Sequence, residues 1–239
     1  MKRKKQVPDF IIALKSEDSG VRIDAAIVLG MIGDARAVDA LVSALRDENS
    51  DVQKFALEAL EKISSDWFRS DEAKRQVPDF IVALKSENIR VRVDAAKVLG
   101  KISDIRAMGA LISALRDEDG DVRKSALEAL EKISSDWFRS DEAKRQVPDF
   151  IVALKSENIR VRVDAAKVLG KISDIRAMGA LISALRDEDG DVRKSALEAL
   201  EKISSDWFRS DEAKRQVPDF IVALRSGNSS VRVDAAKVL

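Results

Sequence analysis

The chain has 239 residues, 45% of them apolar and 35% charged, with 42 lysines and arginines against 42 aspartates and glutamates. A formal charge of zero gives no bulk attraction to nucleic acid or to an anionic membrane. The complete absence of cysteine, histidine and tyrosine excludes disulfide frameworks, thiolate or imidazole metal sites, cysteine nucleophiles, histidine triads and phenolic acids.

The N-terminus opens with Lys2–Lys5 and continues as a short apolar run broken by Pro8 and Asp9. Neither a secretory signal nor a membrane span is expected there. Four cations at a helix start, where acid is preferred, are expected to fray. With no cysteine, a reducing, cytoplasmic setting fits. From Gln6 onward the chain is a tandem repeat. Gln76–Arg145 and Gln146–Arg215 are identical, Gln6–Arg75 differs from them at 16 positions, and Gln216–Leu239 is the first third of a fourth copy. A fixed period of this kind signals a solenoid rather than a globular core. Each unit is itself a doublet: VR-x-x-AA-x-VLG-x-I at 91–102 is echoed by VR-x-x-AL-x-AL-x-x-I at 122–133, 31 residues on, and the next step is 39. Every second junction therefore carries about eight extra residues. We expect a single solenoid over 1–239, with doublets 6–75, 76–145 and 146–215 and a partial copy at 216–239.

Within a doublet the apolar spacing is helical and nothing alternates for long. Val91, Ala95, Val98 and Ile102 form one stripe, Ala107, Leu111, Ala114 and Leu115 a second, and Val122, Ala126, Leu130 and Ile133 a third. Asp104 and Asp121 stand in the expected N-cap places. Trp137 continues the third stripe, so that helix is expected to run a turn longer than its counterparts. Ser140, followed by Asp141 and Glu142, reads as the N-cap of the next helix. Pro78, Pro148 and Pro218 are expected to bend the first helix of alternate units. At the far end Val231, Ala235, Val238 and Leu239 form an apolar stripe expected to be covered by association or by further chain. The architecture predicted is all-α, a right-handed α-α solenoid of about seven helix pairs.

Residues 33–63, GDARAVDALVSALRDENSDVQKFALEALEKI, resemble the HEAT-like repeat of the phycobilisome-lyase (PBS lyase) type. The match is carried by G-D-x-R-A-V, the A-L-x-x-A-L helix, the acidic D-E-N turn and V-x-x-x-A-L-x-A-L-x-x-I. Residues 91–119 match as well, with Ser103 and Ile105 in place of a glycine and a small residue. The resemblance implies a protein-binding scaffold whose second helices line the concave face. It also implies pairing between neighbours of Arg22, Arg92, Arg123, Arg162, Arg193 and Arg232 with Asp34, Asp104 and Asp174; Gln53 interrupts that series. A HEAT-like metal oxygenase would need histidine–glutamate ligand pairs, which this chain lacks.

No phosphate-binding glycine motif occurs, and no cofactor or metal is expected. Glu128 lies four residues from both Lys124 and Lys132, the spacing of helix-surface ion pairs rather than of a catalytic carboxylate pair. Trp67, Trp137 and Trp207 read as packing anchors. The candidate partner-binding site is an apolar strip in the first doublet, made of Ile23, Ile27, Met31 and Phe55. The later doublets carry valine, lysine, lysine and serine at those positions. The chain is thus expected to be a non-enzymatic scaffold for a protein partner, or to self-associate through this strip or through its last unit. Nucleic-acid binding and a lyase-type chromophore-attachment role stand as alternatives. The identical copies mark either recent duplication or deliberate engineering, so an array without a specific ligand stays open too.

Overall fold

The structure is a computed structural model that describes residues 6–238 and the side chains of 6–236. All regular structure among them is helical, sixteen α-helices and six short 3-10 turns, with no strand. The chain divides into two compact units, Met1–Leu111 and Ile112–Leu239. The first holds α1 (Val7–Ala13), α2 (Ser19–Ile32), α3 (Val38–Ala44), α4 (Ser50–Ile63), α5 (Asp71–Arg75), α6 (Val77–Ala83) and α7 (Ile89–Ile102). After α8 (Met108–Ala114), which crosses the division, the second holds α9 (Gly120–Ile133), α10 (Asp141–Arg145), α11 (Val147–Ala153), α12 (Ile159–Ile172), α13 (Met178–Ala184), α14 (Gly190–Ile203), α15 (Asp211–Ala223) and α16 (Ser229–Val238). The expected α-solenoid of helix pairs is what forms: a short helix packs against the long one that follows it, α1 on α2, α3 on α4, α6 on α7, α11 on α12 and α13 on α14.

Local chemistry sets the boundaries. Asp18, Asn49, Asn88, Asp119, Asn158 and Asp189 cap the N-termini of the long helices, each accepting a backbone N–H. The cap before α9 is Asp119 and not Asp121: its Oδ1 takes Asp121 N at 2.9 Å and Val122 N at 3.1 Å, which places Asp121 in the first turn. Asp104 caps a 3-10 turn, Ile105–Ala107, and Ser140 caps α10 through Ala143 N. The helices of a doublet touch where side chains vanish. A Cβ on Gly30 would meet Ala59 Cα and Cβ at 2.9 Å, and one on Gly170 would meet Ala199 Cα at 2.8 Å.

Two further expectations need correction. The helix before the tryptophan is not lengthened. It ends at Ile133, as α4 ends at Ile63, because Ser134 turns extended (ψ 121°), and Trp137 sits on its own 3-10 turn, Trp137–Arg139. The tryptophans are core, with Trp67, Trp137 and Trp207 between 1 and 6% exposed. Nor is the first helix simply bent at each proline. At Pro78 and Pro148 it breaks, at Gln76 and Gln146, into α5 and α6 or α10 and α11; only Pro218 lies inside a continuous helix, α15. Proline has no N–H for the carbonyl four residues back. Arg106 Nη2 donates to that carbonyl, Lys74 O, at 2.7 Å, and Arg176 Nη2 donates to Lys144 O at the same distance. The first-helix break is thus served by an arginine from the next turn. Val231 and Ala235 are buried. Leu239, the Val238 side chain and Lys2–Lys5, on which the fraying and free-end expectations rest, lie outside what is described.

Candidate binding faces on the second helices

Ile23, Ile27 and Met31 follow one another at four-residue spacing along α2, which packs lengthwise on α4. The two helices touch at Gly30 and Ala59, three residues after Ile27 and four after Phe55. Both lines therefore run beside the contact. Met31 is 68% exposed and Ile27 36%, while Ile23 and Phe55 are half-buried. The Lys54 ammonium stands 5.4 Å from the Phe55 ring centroid. In the second unit the counterpart helices carry Val163, Lys167, Lys171 and Ser195, with both lysines exposed and Ser195 buried. A serine fits under the packed surface at this place, and phenylalanine outgrows it.

The arginines pair between neighbours, but not with the aspartates expected. Arg22 grips Asp47 with two hydrogen bonds, 2.7 and 2.8 Å, and turns Nη1 back to Ser16 O and Glu17 O. Arg162 repeats this on Asp187, Ser156 O and Glu157 O. Arg123 joins Asp117 O and Glu118 O to Asp164 at 2.7 Å, and Arg193 joins Asp187 O and Glu188 O to Asp234 at 2.8 Å. Arg232 meets the carbonyls of Ser226 and Gly227. Asp34, Asp104 and Asp174 instead hold Arg36, Arg106 and Arg176, two residues along, because each aspartate caps a 3-10 turn that folds the arginine back over it. Those hydrogen bonds hold Asp104 and Asp174 below the usual carboxylate range. Gln53 reproduces part of the missing arginine, donating Nε2 to Asp47 O. Its amide carries no charge for Asp94, the counterpart of Asp164. Burial pushes Asp94 up, and Lys97 at 3.8 Å only partly opposes that.

The doublet junctions are built differently, which spacing alone did not disclose. α2 lies along α4, and α12 along α14, but α9 is not packed along α12, nor α4 along α7. The Trp137–Arg139 turn lies against α12, and the Trp67–Arg69 turn against α7. The inserted residues hold the second helices apart at every second step. Among the described residues no cluster of three or more acidic, histidine or cysteine side chains could hold a metal, and no helix is long and apolar enough to cross a membrane.

Comparison with known proteins agrees with this geometry. A family model described as HEAT repeats matches residues 7–76, 77–147 and 147–239. Deoxyhypusine hydroxylase of Cryptococcus neoformans var. neoformans serotype D (strain B-3501A) is 31% identical over 210 residues, 84% of this chain and 51% of the relative. The chain thus spans about half the length of the curated relative it matches. An engineered protein of known crystal structure is similar over 97% of this chain and 67% of its own, with 25% identity and a TM-score of 0.53. A computationally designed armadillo repeat protein for modular peptide recognition shares the fold at 17% identity and a TM-score of 0.51, over 83% of this chain and all of its own, 100%.

Proposed function

The chain belongs to the HEAT-repeat family, and from that premise we propose that it is a non-enzymatic, cytoplasmic scaffold that binds a protein partner on its second helices. Ile23, Ile27, Met31 and Phe55 are its contact strip. The observation that carries this reading is the contrast between copies. The repeat packs with lysine, lysine and serine at the places of Ile27, Met31 and Phe55, and with valine at that of Ile23, so the apolar side chains at 27, 31 and 55 are not required by the fold. Covering the exposed Met31 contributes most of the about 1.5–3 kcal/mol of a fully buried side chain. The partly covered Ile23, Ile27 and Phe55 contribute smaller increments before association costs, a pattern suited to an amphipathic helix. The hydroxylase relative does not extend this to catalysis. The chain has no histidine, cysteine or tyrosine, and many of its carboxylates stand in surface ion pairs or in arginine clamps.

The test installs the residues of the later copies together, Ile27→Lys, Met31→Lys and Phe55→Ser. Partner capture from a lysate should fall while the thermal midpoint stays within a degree or two. Sedimentation at increasing concentration shows whether the partner is a second copy. If the triple variant keeps its partners, or melts well below the parent, the strip is not a binding site.

A further inference from the structure

Where the Trp137–Arg139 turn holds α9 and α12 apart, the second unit has a groove of ≈280 Å³ with Leu115, Leu127 and Val168 as its apolar surface. That volume lies just below the range of about 300–1,000 Å³ usual for small-molecule sites, and it suits one or two side chains of a passing peptide. The charges around it are one-sided: Arg123, Lys124, Lys167 and Lys171 line the groove, against the single carboxylate of Asp164. Asp164 is already held by Arg123. Lys171 reaches Glu131 at 3.6 Å. Lys124 and Lys167 make no ion pair among the described residues, and Glu128, a turn beyond Lys124, faces solvent.

We propose that this groove binds a short acidic segment of a partner protein, with an aliphatic side chain seated on Leu127 and Val168 and flanking carboxylates on Lys124 and Lys167. This site is separate from the α2–α4 strip and opposite to it in character. The chain contains its own control. At the equivalent junction of the first unit, Lys54, Leu57, Lys97 and Val98 recur, but Gln53 replaces the arginine, and the carboxylate of Asp94 is left to compete for Lys97. Arginine at position 123 is therefore what keeps Lys167 available, by taking up Asp164.

The experiment titrates a labelled peptide of about twelve residues, with leucines spaced among glutamates, into the full chain. The same residues recur on α14 as Arg193, Lys194 and Leu197, so every protein carries Lys194→Glu. Saturable binding is expected. It should weaken about tenfold in the Lys124→Glu, Lys167→Glu double variant, since each lost charge pair removes a modest increment. Arg123→Gln should weaken it several-fold by releasing Asp164. That variant is expected to fold, because native Gln53 still bonds its loop carbonyl. A peptide with glutamine for glutamate should not bind, and Ile27→Lys, Met31→Lys, Phe55→Ser should bind as the parent does, which separates this site from the strip. Unchanged affinity in the lysine double variant overturns the proposal. So does equal competition by oligothymidylate, which would make the groove a nonspecific anion surface.

Discussion

At Gly170 there is no room for a methyl group. Its missing Cβ would sit 2.8 Å from Ala199 Cα and 2.9 Å from Ala199 Cβ. The first of these is backbone, which cannot rotate away. Helix propensity alone rewards Gly→Ala by roughly 1 kcal/mol, whereas forcing a packed interface open costs typically 1–3 kcal/mol. Gly170→Ala should therefore lower unfolding stability in a denaturant titration; a gain of the full propensity increment would show that α12 and α14 are not in this contact. Asp94 poses the opposite problem, a carboxylate half-withdrawn from water without the guanidinium its counterparts enjoy. Burial raises its pKa, so its ionised form costs stability above that value, and the cost disappears as pH falls through it. Gln53→Arg supplies the missing partner. The variant should be more stable than the parent near neutral pH, and the gain should shrink on acidification as Asp94 protonates. Asp104 and Asp174 behave in the reverse sense. Held low by Arg106 and Arg176, they add stability above the ordinary aspartate range, near pH 4, and lose it as pH falls through their lowered values. Solvent screening of those exposed arginines keeps that contribution small.

Among the helices, the broken pairs α5–α6 and α10–α11 show how much a sequence discloses. The period made the long helices legible, since their apolar stripes are local signals, but the cap before α9 was read two residues late, at Asp121 instead of Asp119. The prolines were legible as disturbances, but whether a helix bends or breaks depends on what meets the stranded carbonyl. Here that is an arginine 32 residues away, Arg176 on Lys144 O. Trp137 misled for a related reason. It falls on the apolar stripe whether the helix continues or the chain leaves it at Ser134 and returns, and only the extended backbone at Ser134 decides. If Arg176 serves the break, its worth depends on Pro148. Arg176→Ala should cost about 1 kcal/mol in the parent. It should cost less in a Pro148→Ala background, where an alanine N–H can pair with Lys144 O. The loss of the Asp174 ion pair is common to both backgrounds and cancels in the cycle. A coupling energy of zero would mean that the Arg176–Lys144 bond does not compensate for the proline.

At the scale of the molecule, the candidate strip was legible because one copy departs from two identical ones, so Ile27, Met31 and Phe55 stand out by comparison alone. The lysine groove was not legible. Lys124 and Lys167 are 43 residues apart and look like ordinary surface charges until the inserted turn is seen to open the space between their helices. Both observations treat the seventy-residue doublet as the unit of construction, and that can be tested on the whole chain. Removing residues 76–145 joins Arg75 to Gln146, the same two residue types that meet at 145 and 146. In an array stabilised by nearest neighbours, every interface that remains already exists in the parent. The shortened chain should therefore fold, with unchanged helicity per residue by circular dichroism. Its denaturant slope, which scales with the surface exposed on unfolding, should fall by roughly three-tenths, the share of the chain removed. A deletion that leaves the protein insoluble or without cooperative unfolding would show that contacts beyond the adjoining doublet hold this fold, and the doublet would lose its standing as the unit.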